Sequence, residues 1–488
     1  MSTTAPARPV SPSAGAAAAS AGTASPGIAS PGRARPGAAL PGTVARPLSV
    51  PRGAALYIGA LLGPGLLLLP GLAAAQAGPA SVLAWLALII TSALLAAVFT
   101  ALGRAVPAAG GVIGYTAAGL GRRAGAAAGW CFLAGVICGA PIVCLIGATY
   151  VADLTGGGQL LRAGVASGLL LAVLGLALGG VRATTTAQLV LVALLIVVVV
   201  AAVTGAAPSA RAANWTPFAP HGWLAIGRAA ATLMLSFVGW EAVAPLTARF
   251  ASPARQLPRV IAIAFATTTA LYLGLAVATI AALGRGAGTS VPLAALLQLA
   301  IGPAGRAVAA AAALVLTLGA TNAYLTGATE MIRQLTAARR ARSTTPQRDT
   351  GRPASSGRGI ARAGATRPGR PRDPARPGSA RPFLLVIAAA GLLLIGLYAL
   401  GLVSIAALVA LPTTMFLVVY LTCTASAARI LAGPARLAAV PALLAVTAVL
   451  AFCGWSLVAA ALVAGLAALA ARGGAARLTG ARAARHGA

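Results

Sequence analysis

The chain has 488 residues, with 36 basic residues, all of them arginine, against 5 acidic ones, for a net charge of +31. Hydrophobic residues make up 59% and charged residues only 8%, against about a quarter charged in ordinary globular domains. Too few charges exist to shell a soluble core, so a soluble enzyme is excluded and the chain belongs in a lipid bilayer.

Residues 1–52, rich in Ala, Pro, Ser and Gly, lack an apolar stretch ahead of a cleavage site and read as a cytoplasmic tail without a packed core. A helix crossing about 30 Å of hydrocarbon needs about 20 apolar residues. Runs of that kind fall at 54–76, 80–102, 124–152, 163–181, 184–206, 224–248, 258–283, 303–328, 383–401, 403–424, 435–452 and 454–471. Helices 1–8 then occupy 53–337, a linker rich in Arg and Pro occupies 338–382, helices 9–12 occupy 383–472, and a second tail covers 473–488. The linker reads as a solvated low-complexity insertion, with anionic headgroups as an alternative partner. Residues 291–301 are too short to cross and read as a re-entrant or interfacial helix.

Twelve crossings place 31 arginines on one side and 5 on the other: Arg162, Arg211, Arg228, Arg285 and Arg306. The positive-inside bias then sets both termini in the cytoplasm. Arginines scattered between apolar runs, with few aromatic neighbours, do not form a nucleic-acid surface. Of the five cysteines, Cys131, Cys138 and Cys144 share one run and Cys423 and Cys453 lie in two others, without zinc-ligand spacing.

Helix 1 carries Gly63-Pro64-Gly65 at mid-span, where glycine and proline weaken the hydrogen-bond ladder. Helix 6 carries Ser236-Phe237-Val238-Gly239-Trp240-Glu241, with a glycine and the one carboxylate deep in an apolar run. Either interruption alone reads as a packing kink, because Gly and Pro are common in membrane helices. Helices 1 and 6 nevertheless begin two five-helix halves, the second inverted, and interruptions at matching positions mark a transporter's binding site. Freed N–H groups at one half-helix start suit a carboxylate, and freed C=O groups at the opposing end suit an ammonium. A zwitterionic amino acid presents both.

The sequence resembles the amino acid–polyamine–organocation (APC) superfamily. Gly63 to Pro70 is similar to its glycine-rich element in helix 1. Pro107-Ala108-Ala109-Gly110-Gly111, with Tyr115 and Gly129-Trp130, is similar to its loop after helix 2. Ser236 to Glu241, with Ser252 to Arg259 behind it, resembles its helix 6 signature and the basic loop that follows. Gly103-Arg104 through Pro141 is most similar to the bacterial branch exporting neutral, hydrophobic amino acids. The resemblance implies an all-α integral membrane protein with a LeuT-like 5+5 inverted repeat, about twelve transmembrane helices, helices 1 and 6 discontinuous, and alternating access. Two departures stand out: Pro64 replaces a small residue and removes an amide donor, and Leu67 replaces an aromatic.

The expected substrate site comprises Leu62, Gly63, Pro64, Gly65 and Leu66 from helix 1, Phe237, Val238, Gly239 and Trp240 from helix 6, and Asn322 from helix 8. Glu241 is the proton-coupling candidate, because an ionised carboxylate in the membrane is expensive, with a hydrogen-bonding role to helix 6 backbone as the alternative. Thr317, Thr321 and Asn322 could face the pathway, hold a cation, or bond between helices. Asp153 and Glu330, near helix ends, read as solvated or snorkelling groups, with Arg333 within reach of Glu330. Clustered His, Asp or Glu for metal or nucleophile chemistry are lacking, so the reading is not an enzyme and takes no cofactor. The expectation is a carrier of neutral amino acids in the cytoplasmic membrane, proton-coupled, with export as one direction. The alternatives are a general amino acid or polyamine uptake permease, or a non-transporting sensor on the same fold.

Overall fold

The structure, a computed structural model, describes residues 48–63, 65–106, 111–179, 185–242, 250–343 and 381–469. It contains no strand among them, and an isolated parallel bridge joins Leu48 to Phe250. The tails expected at 1–52 and 473–488 and the linker at 338–382 lie largely outside the described residues, as does Pro64.

Helices fall on each expected span. The first holds α1 (Val50–Leu61) and α2 (Gly65–Ala77), and the second holds α3 (Ser81–Ala105). A short α4 (Val112–Leu120) precedes α5 (Arg122–Thr155), α6 (Gln159–Leu178) and α7 (Thr185–Ala206). Then come α8 (Leu224–Leu233), α9 (Pro253–Leu283), α10 (Pro292–Ile301), α11 (Ala304–Ser343), α12 (Arg381–Ala399), α13 (Ile405–Ile430), α14 (Pro434–Leu450) and α15 (Ser456–Leu469). Among the described residues, eight helical segments are long and apolar enough to cross a membrane. Leu224–Phe237, Pro434–Leu450 and Ser456–Leu469 are shorter apolar pieces.

Two expectations change. The eighth helix runs on to Ser343, past the expected linker start at 338. Its last turns are built from Ala, Arg, Leu and Gln with neither Gly nor Pro before Pro346, and such residues favour helix whatever their charge. Asp153 is not merely solvated at a helix end. Its carboxylate accepts from Arg306 Nε at 3.0 Å, and the guanidinium also donates to the Asp153 carbonyl, tying the end of α5 to the start of α11. The short segment 291–301 forms α10, with Pro292 at its first turn and Gly302 at φ 73 beyond its end. Leu293, Leu296 and Leu297 face inward while Leu299 and Ile301 are exposed, a one-sided pattern at helical spacing.

Two sets of helices organise the interior. Helix α5 packs against α4, α6, α11, α12 and α13, whereas α1 packs on α9 and α7, α2 on α8, and α3 on α8, α9 and α14. The stretch before α10 lies directly on α2, since a Cβ at Gly71 would overlap the Thr289 carbonyl oxygen. Gly71→Ala is therefore expected to cost about 1–3 kcal/mol, because backbone gives way less readily than a side chain. Thermal unfolding in detergent checks this, and a melting point equal to that of the unsubstituted protein would contradict it.

Candidate functional site

Helix α1 ends because Leu62 leaves helical geometry at ψ 75 and Gly63 turns its amide back to the Leu61 carbonyl at 2.9 Å. Helix α2 restarts at Gly65, and the Leu66 amide closes a turn onto the Gly63 carbonyl at 3.2 Å. The second segment opens more gradually. Helix α8 tightens into a 3-10 turn at Met234–Phe237, Val238 is extended at ψ 135, and Gly239 takes φ 143, a value that side-chain-bearing residues rarely adopt. A further 3-10 turn covers Trp240–Ala242, and residues 243–249 lie outside the described residues.

The two openings meet. The Tyr272 hydroxyl, carried by α9, lies 2.6 Å from the carbonyl of Leu61 at the end of α1 and 2.6 Å from the carbonyl of Ser236 in the helix 6 opening. A Cβ on Gly65 would stand 3.0 Å from Ser236 Oγ, so the start of α2 lies beside the same residue. Ser236 is 1% exposed, and its Oγ has no hydrogen-bond partner among the described residues. Rings close in around this point: Tyr272 lies 5.3 Å from Trp85 and 5.2 Å from Phe237, and Trp85 lies 5.8 Å from Phe237.

Tyrosines from the other helix set hold the surrounding main chain. Tyr150 of α5 donates to the Leu67 carbonyl in α2 at 2.6 Å. Tyr420 of α13 donates to Glu241 Oε2 at 2.6 Å and accepts from the Gly239 amide at 3.0 Å. That amide also lies 3.1 Å from Glu241 Oε2, so the carboxylate is cradled by a phenol and a freed backbone N–H. Glu241 keeps partial exposure.

The expected residues divide accordingly. Leu62, Gly63, Gly65 and Leu66 border the first opening, and Phe237, Val238, Gly239, Trp240 and Glu241 form the second. Trp240 is buried, its Nε1 donating to Ser92 Oγ of α3 at 2.8 Å. Asn322 is partly buried on α11, and its carbonyl accepts from Thr326 Oγ1 at 2.9 Å. Its neighbours bond to α5: Thr321 lies 3.6 Å from Cys144 Sγ, and Thr317 donates to the Val143 carbonyl at 3.4 Å. Tyr150, Tyr272 and Tyr420 were not anticipated. The signal available was scarcity, since only 7 tyrosines occur and a phenol within an apolar helix must place its hydroxyl somewhere.

With this geometry described, the relatives are informative. The amino acid permease family profile matches residues 48–339. The uncharacterized amino acid permease YecA of Bacillus subtilis is 30% identical over 288 residues, 59% of this chain and 68% of that protein. The L-methionine/branched-chain amino acid exporter YjeH of Escherichia coli is 33% identical over 214 residues, 42% of this chain and 49% of that one. Among solved structures, MhsT in complex with L-phenylalanine matches with a TM-score of 0.50 at 16% identity, covering 85% of this chain and 100% of that one. This last likeness concerns the fold alone.

Proposed function

Because the chain belongs to the amino acid permease family of the APC superfamily, with an all-helical, LeuT-like membrane fold, we propose that it is a secondary carrier moving neutral amino acids across the cytoplasmic membrane by alternating access, coupled to protons through Glu241. It is a transporter and not an enzyme. The proposal includes twelve crossings in two inverted halves, cytoplasmic tails and linker, and binding by Leu62, Gly63, Pro64, Gly65, Leu66, Phe237, Val238, Gly239 and Trp240, with Asn322 at the margin.

The observation that carries the reading is the Tyr272 hydroxyl touching both opened segments, which sets their freed polar groups within reach of one small ligand. The start of α2 offers amides and a positive dipole end to the substrate carboxylate, while the Leu61 and Ser236 carbonyls offer negative ends to its ammonium. Buried Leu62, Leu66, Phe237 and Val238 suit an apolar side chain. Export as a working direction draws support from the similarity to the Escherichia coli exporter, whose name specifies L-methionine and branched-chain amino acids.

Counterflow in proteoliposomes tests this reading. Vesicles loaded with unlabelled L-leucine or L-methionine are expected to accumulate the labelled amino acid, with little effect of arginine or spermidine. Preference for the cationic compounds would favour a general amine permease. Binding without movement of label would favour a sensor.

A further inference from the structure

A single hydroxyl bridges two main-chain carbonyls at Tyr272. A phenol has one O–H, yet its oxygen lies 2.6 Å from two carbonyl oxygens at once. The Leu61 carbonyl already accepts the Gly63 amide, whereas Tyr272 is the donor recorded at the Ser236 carbonyl among the described residues. When the hydroxyl serves Ser236, its contact with Leu61 is one oxygen against another with no hydrogen between them. Both carbonyls belong to helix ends, where partial negative charge accumulates, and Ser236 Oγ, without a partner among the described residues, lies on the second of them. Three oxygens within two short bonds, with Trp85 and Phe237 packed beside them, thus share one phenolic hydrogen and have no positive charge of their own.

We propose that Tyr272, together with Ser236 Oγ, sets the amine selectivity of the site: the phenol fixes the Leu61 and Ser236 carbonyls at a spacing an ammonium bridges, and Ser236 Oγ accepts a further N–H. This inference rests on the substrate reading above and adds to it two positioning residues. The hydroxyl fixes the two carbonyls at a separation no greater than twice its own bond length, a span that one nitrogen donating to both can cover. Each carbonyl and the phenol oxygen have two lone pairs, so the ammonium joins the cluster without displacing Tyr272. A ligand with a hydroxyl in place of the amine brings one hydrogen and no charge, and leaves acceptors unserved in a buried site, where that loss is large.

The test compares L-leucine with the α-hydroxy acid bearing the same side chain, in counterflow by the unsubstituted protein, Tyr272→Phe and Ser236→Ala. In the unsubstituted protein the amino acid is expected to be strongly preferred. In Tyr272→Phe the KM for leucine should rise about tenfold, the scale of a hydrogen bond to a charged group, with the maximal rate nearly kept and the hydroxy acid's inhibition constant little changed, so the preference collapses. Ser236→Ala removes no side-chain bond made among the described residues, and should lower the preference severalfold even if Tyr272→Phe cannot be recovered folded. An unchanged preference in both variants, or a parallel loss for both ligands, would overturn the inference. If the unsubstituted protein moves no amino acid label, the substrate reading itself fails. If it does so and the variants keep the amine preference, only the role of Tyr272 and Ser236 fails.

Discussion

Glu241→Gln is expected to abolish accumulation driven by a pH gradient while leaving counterflow largely intact. The exchange keeps the shape of the side chain and an oxygen able to accept from Tyr420 and the Gly239 amide, so both contacts now made by Glu241 Oε2 at 2.6 Å and 3.1 Å survive. What disappears is the capacity to lose and regain a proton. Exchange of one amino acid for another needs no net proton movement, whereas uphill movement does, so the two assays separate. Gradient-driven accumulation should fall by at least about tenfold, since even a modest proton gradient of one unit is worth about 1.4 kcal/mol. Unchanged pH dependence and rate in sealed vesicles would show that Glu241 is only a structural cap on the helix 6 opening.

Gly65→Val should suppress transport in both assays. A Cβ there would stand 3.0 Å from both Leu69 Cδ1 and Ser236 Oγ, and valine adds two further methyls to that tight contact. Relief requires α2 to withdraw from the helix 6 opening, and overpacking of this kind costs about 1–3 kcal/mol. Taken from binding, that amounts to roughly a fivefold to 150-fold rise in KM. Gly63→Ala is the internal comparison, because a Cβ at Gly63 meets nothing within 4 Å among the described residues. It should transport within a few fold of the unsubstituted protein. Equal behaviour of the two variants, measured by initial rates at several leucine concentrations, would mean that the approach of α2 to Ser236 does not matter for binding.

The places where the main chain leaves the helix were legible because glycine and proline act locally. Leu62, Gly63 and Gly239 adopt non-helical geometry at the positions their neighbours suggested. Hydropathy located the helices for a similar reason, since burial in lipid is a property of contiguous sequence. What the openings bond to was not legible. Tyr272 lies 211 residues from Leu61 and Tyr420 lies 179 from Glu241, and no periodicity links residues so far apart. The end of α11 was misplaced because a run of arginines suggested solvent and linker, whereas alanine and arginine also sustain a helix. Arg306 was counted only as a loop charge, and its pairing with Asp153 depends on α5 and α11 ending side by side.

The 40 residues of α11, at about 1.5 Å each, make a rod about 60 Å long, roughly twice the thickness of the hydrocarbon layer. Its start is tethered to α5 by the Arg306 contacts, and its far turns therefore act as a pointer that magnifies rotation. A tilt of about ten degrees about the tethered end would sweep the tip through roughly 10 Å, given that length. A pair of spin labels, one near Ser343 and one on α5, would convert a small rocking of this helix into a distance change large enough to read directly.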